Sequence, residues 1–246
     1  MRRVKRATYS GAVLEQQVYS IPDRQRNLKR PPRIRFANEA ERAAHREGMA
    51  KRRHAQLVNE NFNPGSLYST LTFANASEVH TFPEARRLRN NFARRLQRAY
   101  PEARFIIYMG RGRHTHRIHF HMISDGIPED FIRRQWIYGE IVRIDPLREH
   151  NYYNGVDYGA DYTGLANYLF DHWTPEQGGH HYRGTRTLRP PLRDEAKEVK
   201  RQYTEDKPPR APKGYKLVEA EKPAFGYYYF KYVREPARRQ RANPRK

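Results

Sequence analysis

Apolar and polar residues alternate along several short stretches in the central part of the chain, a period of two that is typical of half-buried strands. In the first of these stretches, Leu67, Leu71 and Phe73 fall on one face. Another stretch is wholly apolar and too short for a helix, which also favours a strand. The predicted strands are residues 67–73, 105–109, 117–123 and 140–144.

A second periodicity, of three or four residues, predicts helices among these strands. The clearest case follows Pro83, a residue favoured in a first helical turn, and apolar residues recur from there as far as Ala99. Shorter helices are predicted over residues 128–136 and 161–173, the latter with Asp161 as its N-cap. The order is therefore β-α-β-β-α-β-α, which predicts an α+β domain with an antiparallel or mixed sheet and helices on one face.

Composition divides the chain into three parts. Residues 1–63 are polar and are predicted to form a basic N-terminal arm with one or two helices. Residues 64–190 hold the predicted α+β domain. Residues 191–246 are predicted to form a proline-rich linker, a possible hairpin that pairs 215–218 with 227–233, and a basic tail.

The chain is strongly basic, with 48 Lys and Arg residues against 27 Asp and Glu, a formal charge of +21. This charge predicts a polyanionic partner, in the first place nucleic acid. Arginine dominates, and no lysine lies between Lys51 and Lys197. That bias suits bidentate binding of phosphate, but it also fits the codon usage of a GC-rich genome. On either interpretation, a domain confined to residues 64–190 has no lysine for catalysis.

Several classes of protein are excluded by what the chain lacks. It has no cysteine, which excludes disulfides, thiolate zinc sites and thiol nucleophiles. The longest apolar run, residues 105–109, is far shorter than the ~20 residues of a membrane span. We therefore expect a cytoplasmic protein without membrane contact.

The strand at 117–123 carries His119 and His121, whose side chains share one face because they are two residues apart. The apolar residues between and beside them belong to the opposite, core face. Two adjacent imidazoles form a ready bidentate metal site; the alternative is a pair of surface histidines. His114 and His116 do not continue the alternation, which excludes a histidine-triad hydrolase and predicts that these two lie in a turn.

The helix at 161–173 contains a tyrosine off its apolar stripe. Tyr168 lies on a different side of the helix, and His172 follows one turn later on the side of Tyr168. Beside a divalent cation, a phenol of ordinary pKa ~10 can be activated as a nucleophile. The alternative is that Tyr168 only packs, as most of the 18 tyrosines must. The residues of the apolar stripe, expected in the core, are Tyr162, Ala166, Leu169 and Trp173.

Three segments in this order resemble the HUH endonuclease superfamily, and most closely the rolling-circle replication initiator (Rep) proteins of small plasmids and filamentous phage. They are the Leu-Thr strand at 68–73, the His-Phe-His strand at 117–122 and the tyrosine helix around 165–170. The resemblance covers roughly residues 66–175 and does not extend to the flanking segments.

The resemblance implies a central antiparallel β-sheet of five strands flanked by helices, in the βαββαβ order of ferredoxin-like and RRM-like domains. It implies that His119 and His121 bind Mg²⁺ or Mn²⁺ while Tyr168 attacks single-stranded DNA at a replication origin. The products would be a 5′-phosphotyrosine link and a free 3′-hydroxyl that primes replication by host helicase and polymerase, with no small-molecule cofactor. The arginines expected to bind the DNA are Arg94, Arg95, Arg111, Arg113 and Arg117.

This chain departs from the family pattern in two places. Many relatives have an acidic third ligand on the strand before the histidines, and none is present at 105–109. Many also have lysine three residues after the tyrosine, where this chain has Asp171. We expect His172 to be the third ligand in preference to Asp171, because some single-tyrosine transposases of the superfamily use a ligand one turn after the tyrosine. Tyr162 is the reserve nucleophile.

Two alternatives stay open. An HUH transposase or conjugative relaxase would use the same chemistry, although the absence of a Gly-x-x-x-x-Gly-Lys-Ser/Thr loop, and so of an appended helicase, favours the initiator. A non-catalytic basic RNA- or DNA-binding protein would stack tyrosines on bases and place arginines on phosphates. Such a protein would bind without metal and never become covalently linked to DNA.

Overall fold

The computed structural model describes residues 1–22, 36–74, 79–112, 114–139, 142–222 and 227–235. Arg113 and the basic tail from residue 236 lie outside these described residues. The helices are α1 (Glu39–Asn61), α2 (Phe82–Ala99), α3 (Glu129–Gln135) and α4 (Thr163–Phe170). The strands are β1 (Arg2–Ser10), β2 (Val13–Ile21), β3 (Leu67–Thr72), β4 (Arg104–Arg111), β5 (Ile118–Asp125), β6 (Val142–Pro146), β7 (Tyr152–Tyr153), β8 (Val156–Asp157), β9 (Tyr182–Gly184), β10 (Leu192–Arg193), β11 (Lys197–Glu198), β12 (Tyr215–Glu221) and β13 (Tyr227–Arg234).

The protein is α+β with antiparallel sheets, as predicted, but the chain divides differently from the expected three parts. Two compact units form, and each uses separate stretches of sequence. The central unit comprises Phe36–Glu149 and Tyr162–Pro191. The terminal unit comprises Met1–Arg35, His150–Asp161 and Leu192–Lys246. Helix α1, which was expected in an N-terminal arm, therefore belongs to the central unit.

The central unit is built on a five-stranded antiparallel sheet in the order β6-β3-β5-β4-β9. The element order β3-α2-β4-β5-α3-β6-α4 is the predicted one. The edge strand β9 was not predicted, because three residues carry no measurable periodicity. It pairs with β4 through Ile106, Ile107 and Tyr108.

Alternation along the strands separates the two faces of this sheet. One face packs under α2 and α3, where Phe92, Phe120 and Trp136 form the centre of the apolar core. On the other face, the Tyr108 hydroxyl of β4 is hydrogen-bonded to His54 Nε2 of α1 at 2.9 Å. Helices therefore cover both faces of the sheet, whereas helices on one face were predicted. The prediction failed because α1, whose last turns are buried, was assigned to the N-terminal arm.

Helix α4 begins two residues later and ends three residues earlier than predicted, so His172 lies just beyond its end. Its N-cap is Tyr162, whose backbone amide donates to Asn59 Oδ1 of α1 at 2.8 Å. Asp161, the expected N-cap, instead belongs to the terminal unit and forms a buried ion pair with Lys231 at 3.3 Å. The capping group for α4 is therefore supplied by α1, about a hundred residues away in sequence.

The terminal unit holds the second sheet, in the order β10-β1-β2-β13-β12, with β11 also paired to β1. The predicted hairpin is confirmed as β12 and β13. Strands β1 and β2 were missed. In β1 the buried residues Val4, Ala7 and Ser10 recur every third position, so the period of two that marks a strand is absent. In the part of the chain that the structure describes, no helix is both long enough and apolar enough to span a membrane.

Candidate metal site and the adjacent tyrosine

The two strand histidines lie side by side on the sheet face opposite α2, as the alternation predicts. His121 is flanked across the strands by Tyr108 of β4 and Thr70 of β3, and His119 by Gly110 and Thr72. The Nε2 atoms of the two imidazoles are 3.1 Å apart. Two ligands that are each about 2.1 Å from one ion can be up to about 4.2 Å apart, so this spacing suits a shared ion.

His172 completes a cluster with these two histidines. One ring nitrogen from each of His119, His121 and His172 lies within 4.8 Å of the others. The His172 ring centroid is 4.9 Å from that of His121 and 6.0 Å from that of His119. The three side chains could hold a metal ion if the partly exposed His172 moves inward.

Asp171, the residue weighed against His172, does not belong to the cluster. Its carboxylate forms an ion pair with Lys51 Nζ of α1 at 2.6 Å. Lys51 is therefore part of the central unit, and the expectation that this unit has no lysine fails because α1 lies within it.

Glycine at position 110 makes room for the three rings. A Cβ atom built there would lie 2.7 Å from His172 Cδ2 and 3.1 Å from His119 Nε2. Any side chain would therefore push His172 away from the strand. Gly110 lies just outside the strand predicted at 105–109, and only the cross-strand register shows that it faces His119.

A second layer of hydrogen bonds fixes the orientation of each imidazole. His121 Nδ1 lies 2.8 Å from the Tyr68 hydroxyl and 3.2 Å from Thr70 Oγ1. His172 Nδ1 donates to the carbonyl of Tyr168 at 2.7 Å, and His119 Nδ1 to that of Arg117 at 3.4 Å. The two carbonyl acceptors hold the proton of His119 and of His172 on Nδ1, which leaves their Nε2 lone pairs free for a metal, the arrangement usual for histidine ligands.

The site also keeps the two strand histidines neutral. Burial, reinforced by His119 and His172, lowers the pKa of His121 to about 3. Burial lowers the pKa of His119 as well. Neutral imidazoles are the ligand form. Because the cluster contains three imidazoles and no carboxylate, its donor set suits Mn²⁺ and later transition ions better than Mg²⁺.

Tyr168 lies beside the cluster and is open to solvent. Its side chain is 54% exposed, and its ring centroid is 4.4 Å from that of His172 and 6.2 Å from that of His121. The reserve nucleophile Tyr162 is buried instead, and its hydroxyl donates to the carbonyl of Arg148 at 2.9 Å. Burial, followed by the charge of Glu149, raises the pKa of Tyr162 to about 12. Tyr162 thus has a packing role, as its stripe position indicated.

The arginines expected at the DNA are not grouped at this cluster. Arg95 donates to the carbonyl of Gln135 at 2.8 Å, and Arg117 to that of Phe73 at 2.7 Å, so both are used in the fold. Of the other three predicted arginines, the two that the structure describes are not found at the cluster either. Arg111 lies over the Phe82 ring at 4.6 Å, Arg94 is exposed on α2, and Arg113 is outside the described residues.

Two residues that sequence analysis missed belong to the surroundings of the cluster. Arg143 of β6 is opposite Thr70 and so lies on the histidine face, two strands from His121. Its side chain is exposed and forms an ion pair with Asp145 at 2.8 Å. Gln177 is buried and its amide donates to the carbonyl of His172 at 2.7 Å, which ties the end of α4 to the segment that follows. No protein-family model, curated protein or solved structure matches the chain.

Proposed function

We propose that this chain is a metal-dependent HUH-type endonuclease and strand transferase that nicks and rejoins single-stranded DNA to initiate rolling-circle replication. One observation carries the proposal. An exposed tyrosine stands one helical turn before the third member of a three-histidine cluster, on a chain of charge +21. A phenol beside a metal and a polyanion-binding surface are the parts that tyrosine transesterification of DNA needs.

In this proposal each residue has a definite task. Tyr168 Oη attacks the scissile phosphorus, which forms an oxygen–phosphorus bond to the enzyme and breaks the bond to the 3′ oxygen. The phenol loses its proton, and the departing 3′ oxygen takes one up. His119, His121 and His172 hold the ion, which when bound polarises the phosphate oxygens. Arg143, on the same sheet face, is placed to contact the phosphate backbone.

The donor set bears on the identity of the metal. The resemblance implies Mg²⁺ or Mn²⁺, but Mg²⁺ favours oxygen ligands and retains water. Of these two ions, three imidazoles therefore favour Mn²⁺, and they suit later transition ions better still. The five-stranded antiparallel sheet supports the family resemblance at the level of topology. The proposed partners are single-stranded DNA at an origin, and host helicase and polymerase.

An HUH transposase is the second candidate, and the location of His172 favours it. The third histidine lies four residues after the tyrosine, just beyond the end of α4, rather than on the strand before the histidine pair. Some single-tyrosine transposases of the superfamily also take a metal ligand from one turn after the tyrosine. Both candidates cut by the same chemistry, so the nature of the joined product separates them: an initiator religates a circle, whereas a transposase joins an excised segment to a new target.

The test is a denaturing gel for a covalent protein–DNA adduct, with Mn²⁺ and a pool of circular single strands from candidate replicons. The adduct should vanish with EDTA, with Tyr168→Phe and with His121→Ala. Tyr153→Phe, which changes another exposed tyrosine, is the matched control and should form the adduct normally. If no strand yields an adduct while tight metal-independent binding persists, the protein is a binding module and the proposal is wrong.

A further inference from the structure

A group of arginines lies together on the opposite side of the central sheet from the histidines. Arg86, Arg89 and Arg94 come from α2, and Arg183 comes from the edge strand β9. Arg183 pairs with Ile107 in the sheet and so projects toward α2, on the face away from His121. We call these four residues the arginine cluster.

The cluster is held together by a neutral group. Asn90 Oδ1 accepts from Arg183 at 3.1 Å and from Arg89 at 3.3 Å, so two guanidinium groups share one amide oxygen. Arg86 donates to the backbone carbonyl of Gln177. Within the part of the chain that the structure describes, no carboxylate forms an ion pair with any member of the cluster.

Like charges that lack a counter-charge are unfavourable at short range. The effect is visible at Arg89, where burial and then the charges of Arg183 and Arg86 lower the pKa to about 10. Burial and the charge of Arg94 lower the pKa of Arg183 in the same way. A bound anion would relieve this repulsion and accept charge-assisted hydrogen bonds from several guanidinium groups at once.

An open cleft of 490 Å³ adjoins the cluster. It follows α2 for roughly 12 Å from position 86 to position 94, enough for about three successive phosphates of one strand. Its wall offers cationic and amide donors but no aromatic ring. Single-strand sites normally present aromatic side chains for base stacking, whereas duplex backbones are held by polar and cationic groups alone. The lining residues are Pro83, Arg86, Arg87, Asn90, Asn91 and Arg94.

We infer that the arginine cluster is a binding site for the phosphate backbone of double-stranded nucleic acid, separate from the histidine site. The inference goes beyond the proposed nicking of a single strand and does not depend on it. It gives the protein one surface for a duplex and another, on the opposite face of the same sheet, for a strand that is cut.

The test measures fluorescence anisotropy of a labelled 20-base-pair duplex and of a single strand of equal length, in EDTA so that metal chemistry plays no part. The cluster variant is Arg86→Gln with Arg94→Gln, the two members of the cluster that line the cleft. The matched control is Arg42→Gln with Arg134→Gln, which removes the same charge from two arginines that pair with Glu39 and Asp130. Loss of two phosphate contacts should weaken duplex binding at least about tenfold and lower the slope of log affinity against log salt by about two.

Asn90→Asp is the second variant, because it places a carboxylate between Arg89 and Arg183 without a change of shape. It should keep or raise the thermal midpoint and still weaken duplex binding about as much as the double variant. His121→Ala should bind duplex as the unaltered protein does, which separates this inference from the proposed function. Equal weakening by the cluster and control variants, a folded Asn90→Asp with unaltered duplex binding, or a loss confined to the single strand would each overturn the inference.

Discussion

Substitution of Gly110 by alanine tests whether three imidazoles act as one ligand set. The added Cβ would lie 2.7 Å from His172 Cδ2, whereas carbon atoms in contact are normally about 3.5 Å apart or more. The ring must therefore retreat by about 0.8 Å, which is several times the ~0.2 Å tolerance of a ligand distance. Since disturbing an outer partner of a ligand costs 10- to 100-fold in metal affinity, displacing the ligand itself should cost about 100-fold.

The fold should survive this change. His172 is a partly exposed side chain that can swing outward, and replacement of a strand glycine offsets part of the cost, so we expect less than about 1 kcal/mol of destabilisation. Gly164→Ala on α4 is the matched control, because its added Cβ would meet nothing within 4 Å. That variant should bind metal normally and gain up to about 1 kcal/mol in stability.

Isothermal titration calorimetry with Mn²⁺ measures the affinities, and thermal unfolding measures the stabilities. If His172 is the group displaced, Gly110→Ala combined with His172→Ala should bind no more weakly than His172→Ala alone, because the two changes remove the same interaction. Full Mn²⁺ affinity in a folded Gly110→Ala variant would refute the reasoning, since it would mean that His172 is not a ligand.

Two further predictions concern the same unit. Tyr68→Phe keeps the ring that stacks on His121 but removes the hydroxyl 2.8 Å from Nδ1, so Mn²⁺ affinity measured by calorimetry should fall about tenfold; unchanged affinity would leave Thr70 as the sole orienting group. The second prediction concerns His54, which is 2% exposed. Burial, reinforced by the charge of His181, lowers the pKa of His54 from 6.5 to about 4. As the pH falls, His54 is therefore protonated in the unfolded chain before it is protonated in the folded protein. His54 should therefore leave the free energy of unfolding unchanged above pH 7 and lower it by about 3 kcal/mol between pH 6.5 and pH 4. Denaturant unfolding of the unaltered protein and of His54→Gln, which retains a partner for the Tyr108 hydroxyl, should diverge across that window and not above it.

The central elements could be predicted because each of them is amphipathic over its own length. The strand with His119 and His121 and the helix with Tyr168 both show their faces in the local pattern, and helical spacing alone placed His172 beside the tyrosine. Gly110 and Tyr68 could not be found in this way. Their part in the site depends on which residues face each other across strands, and a strand pattern does not state its register.

The division of the chain was missed for a different reason. The terminal unit gathers three stretches of sequence. The change of unit at residue 192 lies next to the predicted boundary at 190, and the change at 162 lies at the start of a predicted helix, but no local pattern shows that the three stretches fold together. The domain boundary predicted at residue 64 does follow the end of helix α1, but the end of a helix need not be the end of a domain. Burial of α1 is carried by polar residues such as His54 and Asn59, which hydropathy assigns to a solvated surface.

Helix α1 illustrates how the cluster depends on distant sequence. His172 can reach His121 only if α4 is held against the sheet, and α1 holds it at three points. Asn59 caps its first turn, Lys51 pairs with Asp171 at its end, and His54 packs against Phe170 with ring centroids 5.4 Å apart. A strand supplies two of the three imidazoles by alternation alone, whereas the third requires a helix fixed by another helix. The geometry of the site is therefore a property of the whole central unit, and residues 36–63 are part of the structure that positions the third histidine.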